Sequence, residues 1–127
     1  MAKLPKPTDG ELAILRVLWR RGPSTVRDVH KALNAVKPTG YTTVLKLMQI
    51  MSEKGLARRD ESAYAHIYEA ALPKEQTQRT LVADLLERAF DGSAGRLLVQ
   101  ALAARKAGPE ELAEIRKLLK EYERGVK

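Results

Sequence analysis

The stretch PTGYTTVLKLMQIMSEKGL, residues 38–56, has the pattern of a helix with two unlike faces. At about 100° per residue, its apolar side chains share one stripe: Val44, Leu47, Met48 and Met51. Polar side chains form the opposite stripe: Thr42, Lys46, Gln49 and Glu53. A hydrophobic core explains the first stripe. The second stripe, which opens with threonine, is either a solvated face or a surface that recognises a binding partner.

Two shorter helices are predicted before this stretch. In TDGELAILRVLWRRG, residues 8–22, Thr8 and Glu11 have the spacing of a capping box, and apolar side chains recur at helical intervals. In TVRDVHKALNAV, residues 25–36, apolar side chains again share one face. Pro38 then ends the second helix, because proline disfavours helical geometry in the residue before it.

A β-hairpin is predicted after the third helix, which we expect Thr39 to cap and Gly55 to end. In LARRDESAYAHIYEA, residues 56–70, two strand-like runs flank the turn-like DESA. Three helices followed by a hairpin is the order of a winged helix-turn-helix domain. We therefore assign residues 1–72 to a winged-helix DNA-binding domain in a chain that is mainly α with a small β-hairpin.

The remaining residues, 73–127, are predicted to form three helices, separated by DGSAG and AGPEE. Pro73 suits the first turn of the first of them, and Ser93 is placed to cap the second. So short a segment does not easily bury its own apolar side chains, and dimerisation would cover them. The side chains assigned to this dimerisation domain are Leu81, Leu85, Phe90, Leu97, Leu98, Leu102, Leu112, Ile115, Leu118, Leu119 and Tyr122.

The charge of the chain is concentrated in its first part. The formal net charge is +7; residues 1–72 hold twelve basic against seven acidic side chains, and residues 73–127 hold eleven against nine. This distribution favours a polyanionic partner, with nucleic acid ahead of membrane. The start MAKLPKPTDG lacks the apolar run of a signal peptide, and no run approaches a membrane span, so a cytoplasmic protein without a membrane partner is predicted.

Candidate DNA-binding residues lie on the third helix and on the hairpin. Threonine, lysine and glutamine are fitted to reading base edges, and arginine is favoured along phosphates or in the minor groove. Tyr41 either approaches the DNA backbone or covers the edge of the core, and the hairpin residues are either a DNA-binding wing or a solvated strand end. The candidates are Thr39, Tyr41, Thr42, Thr43, Lys46 and Gln49 on the helix, and Arg58, Arg59, Tyr64 and His66 on the wing, with the last two on its return strand.

Catalytic, metal and cofactor chemistry have no positive support in the residues. The chain has no cysteine, and its two histidines, His30 and His66, lack partner ligands at metal-binding spacing. His30 is interpreted as a helix-surface residue. No nucleophile–base arrangement and no Gly-rich phosphate loop is visible, so neither an enzyme nor a bound cofactor is predicted.

Several of these runs together resemble the penicillinase-repressor family (BlaI/MecI/CopY). They are DGELAILRVLWRRGPSTVRDVHKAL, GYTTVLKLMQIMSEKGLARRDE, AHIYEA and the tail from LLERAF to KLLKE. The resemblance covers nearly the whole chain and implies a homodimeric winged-helix repressor on a palindromic operator, with Thr42, Thr43 and Lys46 facing the DNA. The alternative is a winged-helix protein-interaction module without sequence-specific DNA binding.

Two departures from the family pattern concern its inducers. In members that sense β-lactams, inactivating proteolysis occurs at an Asn-Phe bond that would align near Gln100–Ala101 here, so that signature is absent. The copper-responsive branch carries a cysteine cluster, and this chain has no cysteine. The residues therefore identify no sensor or inducing protease.

Overall fold

The computed structural model describes residues 5–62 and 64–125, which form six α-helices and one two-stranded antiparallel sheet. The elements are α1 (Asp9–Arg21), α2 (Val26–Asn34), α3 (Tyr41–Lys54), β1 (Ala57–Asp60), β2 (Ile67–Ala70), α4 (Lys74–Ala89), α5 (Ala94–Ala104) and α6 (Pro109–Glu123). The predicted class, mainly α with one hairpin, is confirmed. The chain divides into two compact units, Met1–Ala83 and Asp84–Lys127, and the division falls within α4.

Side-chain caps define the starts of α1 and α2. Thr8 and Glu11 form the predicted capping box, in which each side chain accepts a hydrogen bond from the other residue's backbone N–H, at 2.9 and 3.3 Å. Thr25 and Asp28 form a second box with both distances at 3.1 Å. The bond from the Thr25 backbone N–H is the main cause of a lowered pKa at the Asp28 carboxyl, because it stabilises the carboxylate.

The expected cap of α3 was wrong. Gly40 is the N-cap residue and supplies no side-chain hydrogen bond, while the Thr39 hydroxyl donates to the Lys37 carbonyl at 3.0 Å. The end of α3 is as predicted: Gly55 has φ +85°, a left-handed conformation that glycine adopts without steric cost, and its N–H bonds back to the last turn.

Two other helix boundaries differ from the prediction. Helix α2 ends at Asn34, two residues earlier than expected, because the side chain of Asn34 bonds to the loop that follows. Helix α6 starts at Pro109 rather than after AGPEE, since proline at the first helical position lacks only an N–H that has no partner there anyway. The Ser93 cap of α5 is confirmed, with its Oγ 3.1 Å from the backbone N of Arg96.

The hydrophobic core joins α1, α2, α3 and the hairpin. On α3, Val44, Met48 and Met51 are fully buried as predicted, while Leu47 is half-buried. Their opposite stripe is exposed along its whole length. The core consists of Ile14, Leu15, Val17, Leu18, Val26, Val29, Val44, Met48, Met51, Leu56, Ala57 and Tyr68.

The hairpin is fixed to the segment between α1 and α2. Strands β1 and β2 pair with Arg58 opposite Glu69 and Arg59 opposite Tyr68. Tyr68 also exchanges two backbone hydrogen bonds with Ser24, at 2.8 and 2.9 Å, and its side chain is buried in the core. The position of the hairpin relative to α2 and α3 is therefore set by the core and by a third backbone segment.

A partly buried ion pair connects the start of α1 with the end of α3. Nζ of Lys54 lies 2.7 Å from Oε1 of Glu11, whose side chain is 3% exposed. Burial acts to raise the pKa of Glu11, but hydrogen bonds from Lys54 and Thr8 outweigh it and hold the pKa below its ordinary value of 4.5. The carboxylate thus stabilises the folded state above this pH, and its contribution is lost as pH falls through the folded-state pKa.

We expect Glu11→Gln to lower the free energy of unfolding by about 1–2 kcal/mol near pH 7, a value reduced because Lys54 is part-exposed. The difference from wild type should shrink below pH 4.5, where the wild-type carboxyl also becomes protonated. Urea denaturation at pH 7 and pH 3 measures both. Glu53→Gln, at an exposed glutamate on α3, is the matched control and should change little. A pH-independent loss in Glu11→Gln would contradict the assignment.

The unit Asp84–Lys127 contains the end of α4 together with α5 and α6. Several of its apolar side chains are exposed, among them Val99 and Tyr122. All eleven side chains assigned to dimerisation, of which Leu81 belongs to the first unit, are half-buried or exposed in the single chain. Within the residues that the structure describes, no helix has the length and hydropathy needed to cross a membrane.

Candidate nucleic-acid interface

The exposed side of α3 separates two surface depressions. At about 100° per residue, Tyr41, Leu45 and Gln49 lie on one flank of this exposed face and Thr43 and Leu47 on the other. The first flank faces a groove of about 590 Å³ between α3, the hairpin and the start of α2. The second faces a cleft of about 590 Å³ beside α1. Thr42 and Lys46 are exposed between the two flanks, and we call these two residues the α3 ridge.

The structure brings half of the predicted DNA-binding residues together at the groove. Five of the ten line it: Tyr41, Gln49, Arg59, Tyr64 and His66. The ridge residues, Thr42 and Lys46, lie beside the groove. Thr39 and Thr43 line the cleft on the other flank, with Gly10 and Leu47. The exposed face of α3 and the loop of the hairpin are thus parts of one surface.

The charged residues that line the groove are basic. Among the described residues that line it, none is aspartate or glutamate, whereas Arg27 and Arg59 are both present. Arg27 is exposed and has no ion-pair partner within the described parts of the chain. Arg27 was not among the DNA-binding residues predicted from the sequence. Its position, two residues after the Thr25 cap of α2, is the signal that would have identified it, because helix starts commonly face phosphate.

The arginines of the hairpin are compensated by carboxylates. Arg58 pairs with Glu69 across the strands, with Nη2 to Oε1 at 3.2 Å, and Arg59 pairs with Glu61. The hydroxyl of Tyr68 is the main cause of a raised pKa at Arg59, so this guanidinium stays charged. Residues 57–70 hold two arginines and three carboxylates, a formal charge of −1 with histidine neutral. The expected basic wing is therefore not basic overall, although Arg59 lines the groove.

Tyr64 and His66 lie in the loop that precedes β2, and not on the return strand as expected. Both are exposed. The strand-like run of residues 64–70 suggested a longer strand, but the antiparallel pairing starts only at Ile67, opposite Asp60. Asp60 instead accepts hydrogen bonds from the Ser62 hydroxyl and backbone N–H, which lower the pKa of its carboxyl and close the turn.

His30 is not the free surface residue that the sequence suggested. It is half-buried, its Nε2 lies 2.8 Å from the Thr39 carbonyl, and its ring contacts Tyr41 edge-on with centroids 5.4 Å apart. In residues 5–62 and 64–125 no three His, Cys, Asp or Glu side chains are grouped so that they could hold a metal ion.

A three-helix core, a hairpin packed beside its third helix and an exposed face on that helix define a winged-helix fold. The family model described as "Penicillinase repressor" matches residues 7–121. The chain therefore belongs to the penicillinase repressor family, whose members are transcriptional repressors and not enzymes.

Two similar proteins carry names that are consistent with this family. The Transcriptional regulator BlaI of Mycobacterium tuberculosis (strain CDC 1551 / Oshkosh) is 35% identical over 127 residues, covering 98% of this chain and 91% of that protein. The Penicillinase repressor of Bacillus licheniformis is 20% identical over 122 residues, covering 96% and 95%.

A solved structure supports the fold. The solution structure of monomeric Bacillus licheniformis BlaI in complex with the blaP half-operator matches with a TM-score of 0.51 and 20% identity, over 59% of this chain and 92% of that one. At this identity the match shows a shared fold over the matched part of the chain.

Proposed function

We propose that this chain is a cytoplasmic, homodimeric transcriptional repressor that binds a palindromic operator, with α3 in the major groove and the wing beside the phosphates. The observation that carries the proposal is the continuous surface formed by the α3 ridge and the groove, which is lined by arginine and tyrosine without a carboxylate. A helix exposed on one whole face between two depressions has the shape required to enter a major groove.

Sequence discrimination is assigned to the exposed face of α3. Thr42 can hydrogen-bond through its hydroxyl and pack its methyl against a thymine methyl, while Lys46 and Gln49 suit guanine and adenine edges. Lys46 is exposed and has no ion-pair partner among the residues that the structure describes, so its ammonium group is free to bind an acceptor.

Affinity for the DNA backbone is assigned to the groove and its rim. Arg27 at the start of α2 and Arg59 on the wing place two guanidinium groups on the same surface as Tyr41. Arginine binds phosphate with two parallel hydrogen bonds, and its electrostatic attraction to DNA is independent of sequence. These contacts would orient α3 for base reading and would weaken as salt concentration rises.

Dimerisation is assigned to the apolar side chains selected from residues 73–127, of which Leu85, Leu118 and Tyr122, among others, are exposed in the single chain. A two-fold dimer presents two copies of α3 and therefore recognises an inverted repeat whose half-sites are separated by about one helical turn or a multiple of it. The Bacillus licheniformis relative was solved as a monomer on a half-operator, which supports a division of the operator into half-sites.

Selection from a random duplex pool tests the proposal. The bound DNA is enriched at near-physiological salt, and the selected sequence is then titrated against a scrambled duplex. An inverted repeat bound at least roughly 1000-fold more tightly than the scrambled duplex is the expected result. Weak, salt-sensitive binding without enrichment would contradict the proposal and favour the protein-interaction module.

We expect Lys46→Ala to weaken operator binding by about 1–3 kcal/mol and scrambled DNA binding by much less, because a lost base contact affects only the correct sequence. Titration of both duplexes at one salt concentration measures this. For comparison, Arg58→Ala should affect both duplexes alike and lower the salt slope by at most about one unit, since Arg58 is already paired with Glu69. Equal losses on the two duplexes for Lys46→Ala would remove it from the base-reading set.

A further inference from the structure

The start of α3 is held differently from the starts of the two preceding helices. Helices α1 and α2 each begin with a capping box, whereas the N-cap residue of α3 is Gly40, which has no side chain to bond the first turn. The first N–H groups of a helix have no partner within it, so an uncapped start is loosely determined by its own residues. Tyr41 and Thr42 lie in that first turn, and their placement depends on neighbouring structure.

Two side chains of α2 bind the backbone of Thr39, immediately before the cap. Oδ1 of Asn34 accepts from the Thr39 N–H at 3.1 Å, and its Nδ2 donates to the Thr39 carbonyl at 2.9 Å. Nε2 of His30 donates to the same carbonyl at 2.8 Å. Nδ2 of Asn34 also donates to the His30 carbonyl at 2.9 Å, which joins the two side chains in one network. Both backbone polar groups of Thr39 are therefore held from α2.

The same network reaches the first residue of α3. The His30 ring contacts Tyr41 at an interplanar angle of 80°, the edge-to-face arrangement that aromatic rings favour. Tyr41 is 45% exposed and lines the groove. His30 thus touches the residue before the cap through a hydrogen bond and the residue after it through its ring.

We infer that His30 and Asn34 are positioning residues for the DNA-reading face of α3. They fix the first turn of α3 from α2 and so contribute to sequence discrimination by acting through Thr39 and Tyr41. This inference rests on the proposed function, because it explains how the proposed DNA-reading face of α3 is held rigid. Hydrogen bonds to base edges need defined distances and angles, whereas attraction to phosphates tolerates displacement. A loosened first turn should therefore reduce discrimination between the operator and other sequences more than it reduces affinity for DNA in general.

Three substitutions separate the parts of the network. His30→Phe keeps an aromatic ring beside Tyr41 and removes the donor, while His30→Gln keeps an N–H donor and removes the ring. Asn34→Asp is nearly isosteric but places an oxygen against two carbonyl acceptors. The matched control is Val36→Ala, a neutral change in the same connection at a side chain that is 89% exposed.

The first measurement is the ratio of operator to scrambled-DNA affinity for each variant, together with its melting temperature. We expect the ratio to fall roughly tenfold in His30→Phe and Asn34→Asp, the upper end of the effect of losing one hydrogen bond, and His30→Gln to retain most of it. Affinity for scrambled DNA should stay within about twofold, because phosphate attraction survives. Val36→Ala should match wild type. An unchanged ratio, or equal losses on both duplexes that follow the melting temperature, would overturn the inference.

The second measurement needs no DNA and separates this inference from the proposed function. The Val44 amide donates the first hydrogen bond of α3, to the Gly40 carbonyl at 3.2 Å. Its hydrogen exchange should become roughly tenfold faster in His30→Phe and Asn34→Asp if the first turn opens more often. Wild-type exchange in both variants would overturn the positioning role, whereas a wild-type protein that fails to discriminate DNA would overturn the proposed function alone.

Discussion

Replacing Leu118 with aspartate is expected to convert the proposed dimer to a monomer and to lower operator affinity by roughly 10²–10⁴-fold, because two linked half-site contacts gain affinity through effective concentration. Leu118 is 49% exposed in the single chain and lies on the same stripe of α6 as Leu112, Ile115 and Leu119. A carboxylate there would have to be desolvated in an apolar interface. Sedimentation measures the assembly state, and titration of full and half operators measures the affinity.

Two controls make the Leu118 result specific. Ala113→Asp adds the same charge to α6 at an exposed position on the opposite face, and should leave the dimer intact. Affinity for an isolated half-site should be unchanged in Leu118→Asp, which shows that the winged helix remains folded. Leu98→Asp should behave like Leu118→Asp. A Leu118→Asp protein that sediments as wild type would contradict the assignment of dimerisation to this stripe.

Tyr68→Ala is expected to lower the free energy of unfolding by about 3–5 kcal/mol, in the range found when large buried aromatic side chains are truncated. Tyr68 is 1% exposed, belongs to the central core and anchors the wing through its backbone bonds to Ser24. Its loss would leave a cavity where the hairpin meets α1 and α2. Urea denaturation measures the change, with the slope of the transition as a check on two-state unfolding.

Tyr68→Phe is the matched control for the truncation. It keeps the ring in the core and removes only the hydroxyl that interacts with Arg59. We expect a loss of no more than about 1 kcal/mol, since a single hydrogen bond to a part-exposed partner is removed. If the alanine and phenylalanine variants were destabilised equally, the hydroxyl, and not packing, would be the main contribution of Tyr68.

The order of the helices and the hairpin could be predicted because local signals agreed. The capping box of Thr8 and Glu11, the stripe of Val44, Met48 and Met51, and the glycine after α3 each place an element without reference to the rest of the chain. The start of α3 could not be predicted in this way. Thr39 has the right chemistry for a cap, but Asn34 and His30 bind its backbone, and that contact exists only in the folded domain.

Residues of the candidate site could be predicted where their placement depends on one helix, and not where it depends on backbone pairing between segments. Helical spacing sufficed to place Thr42, Lys46 and Gln49 on the exposed side of α3. The sequence places Arg27 at a helix start, but its proximity to the wing arises from the bridge between Ser24 and Tyr68. The charge compensation of Arg58 by Glu69 likewise depends on strand register, which periodicity alone does not give.

Trp19, on α1, is the single tryptophan of the chain. Its indole Nε1 donates a hydrogen bond to the Leu72 carbonyl, just before α4 begins, at 3.3 Å. Its emission spectrum is therefore a built-in optical reporter of one junction, the attachment of α1 to the segment that leaves the wing. Far-ultraviolet circular dichroism, in contrast, is dominated by helices from the whole chain. Melting curves recorded by the two signals would coincide if the first and second units unfold together, and would separate if the tail melts on its own.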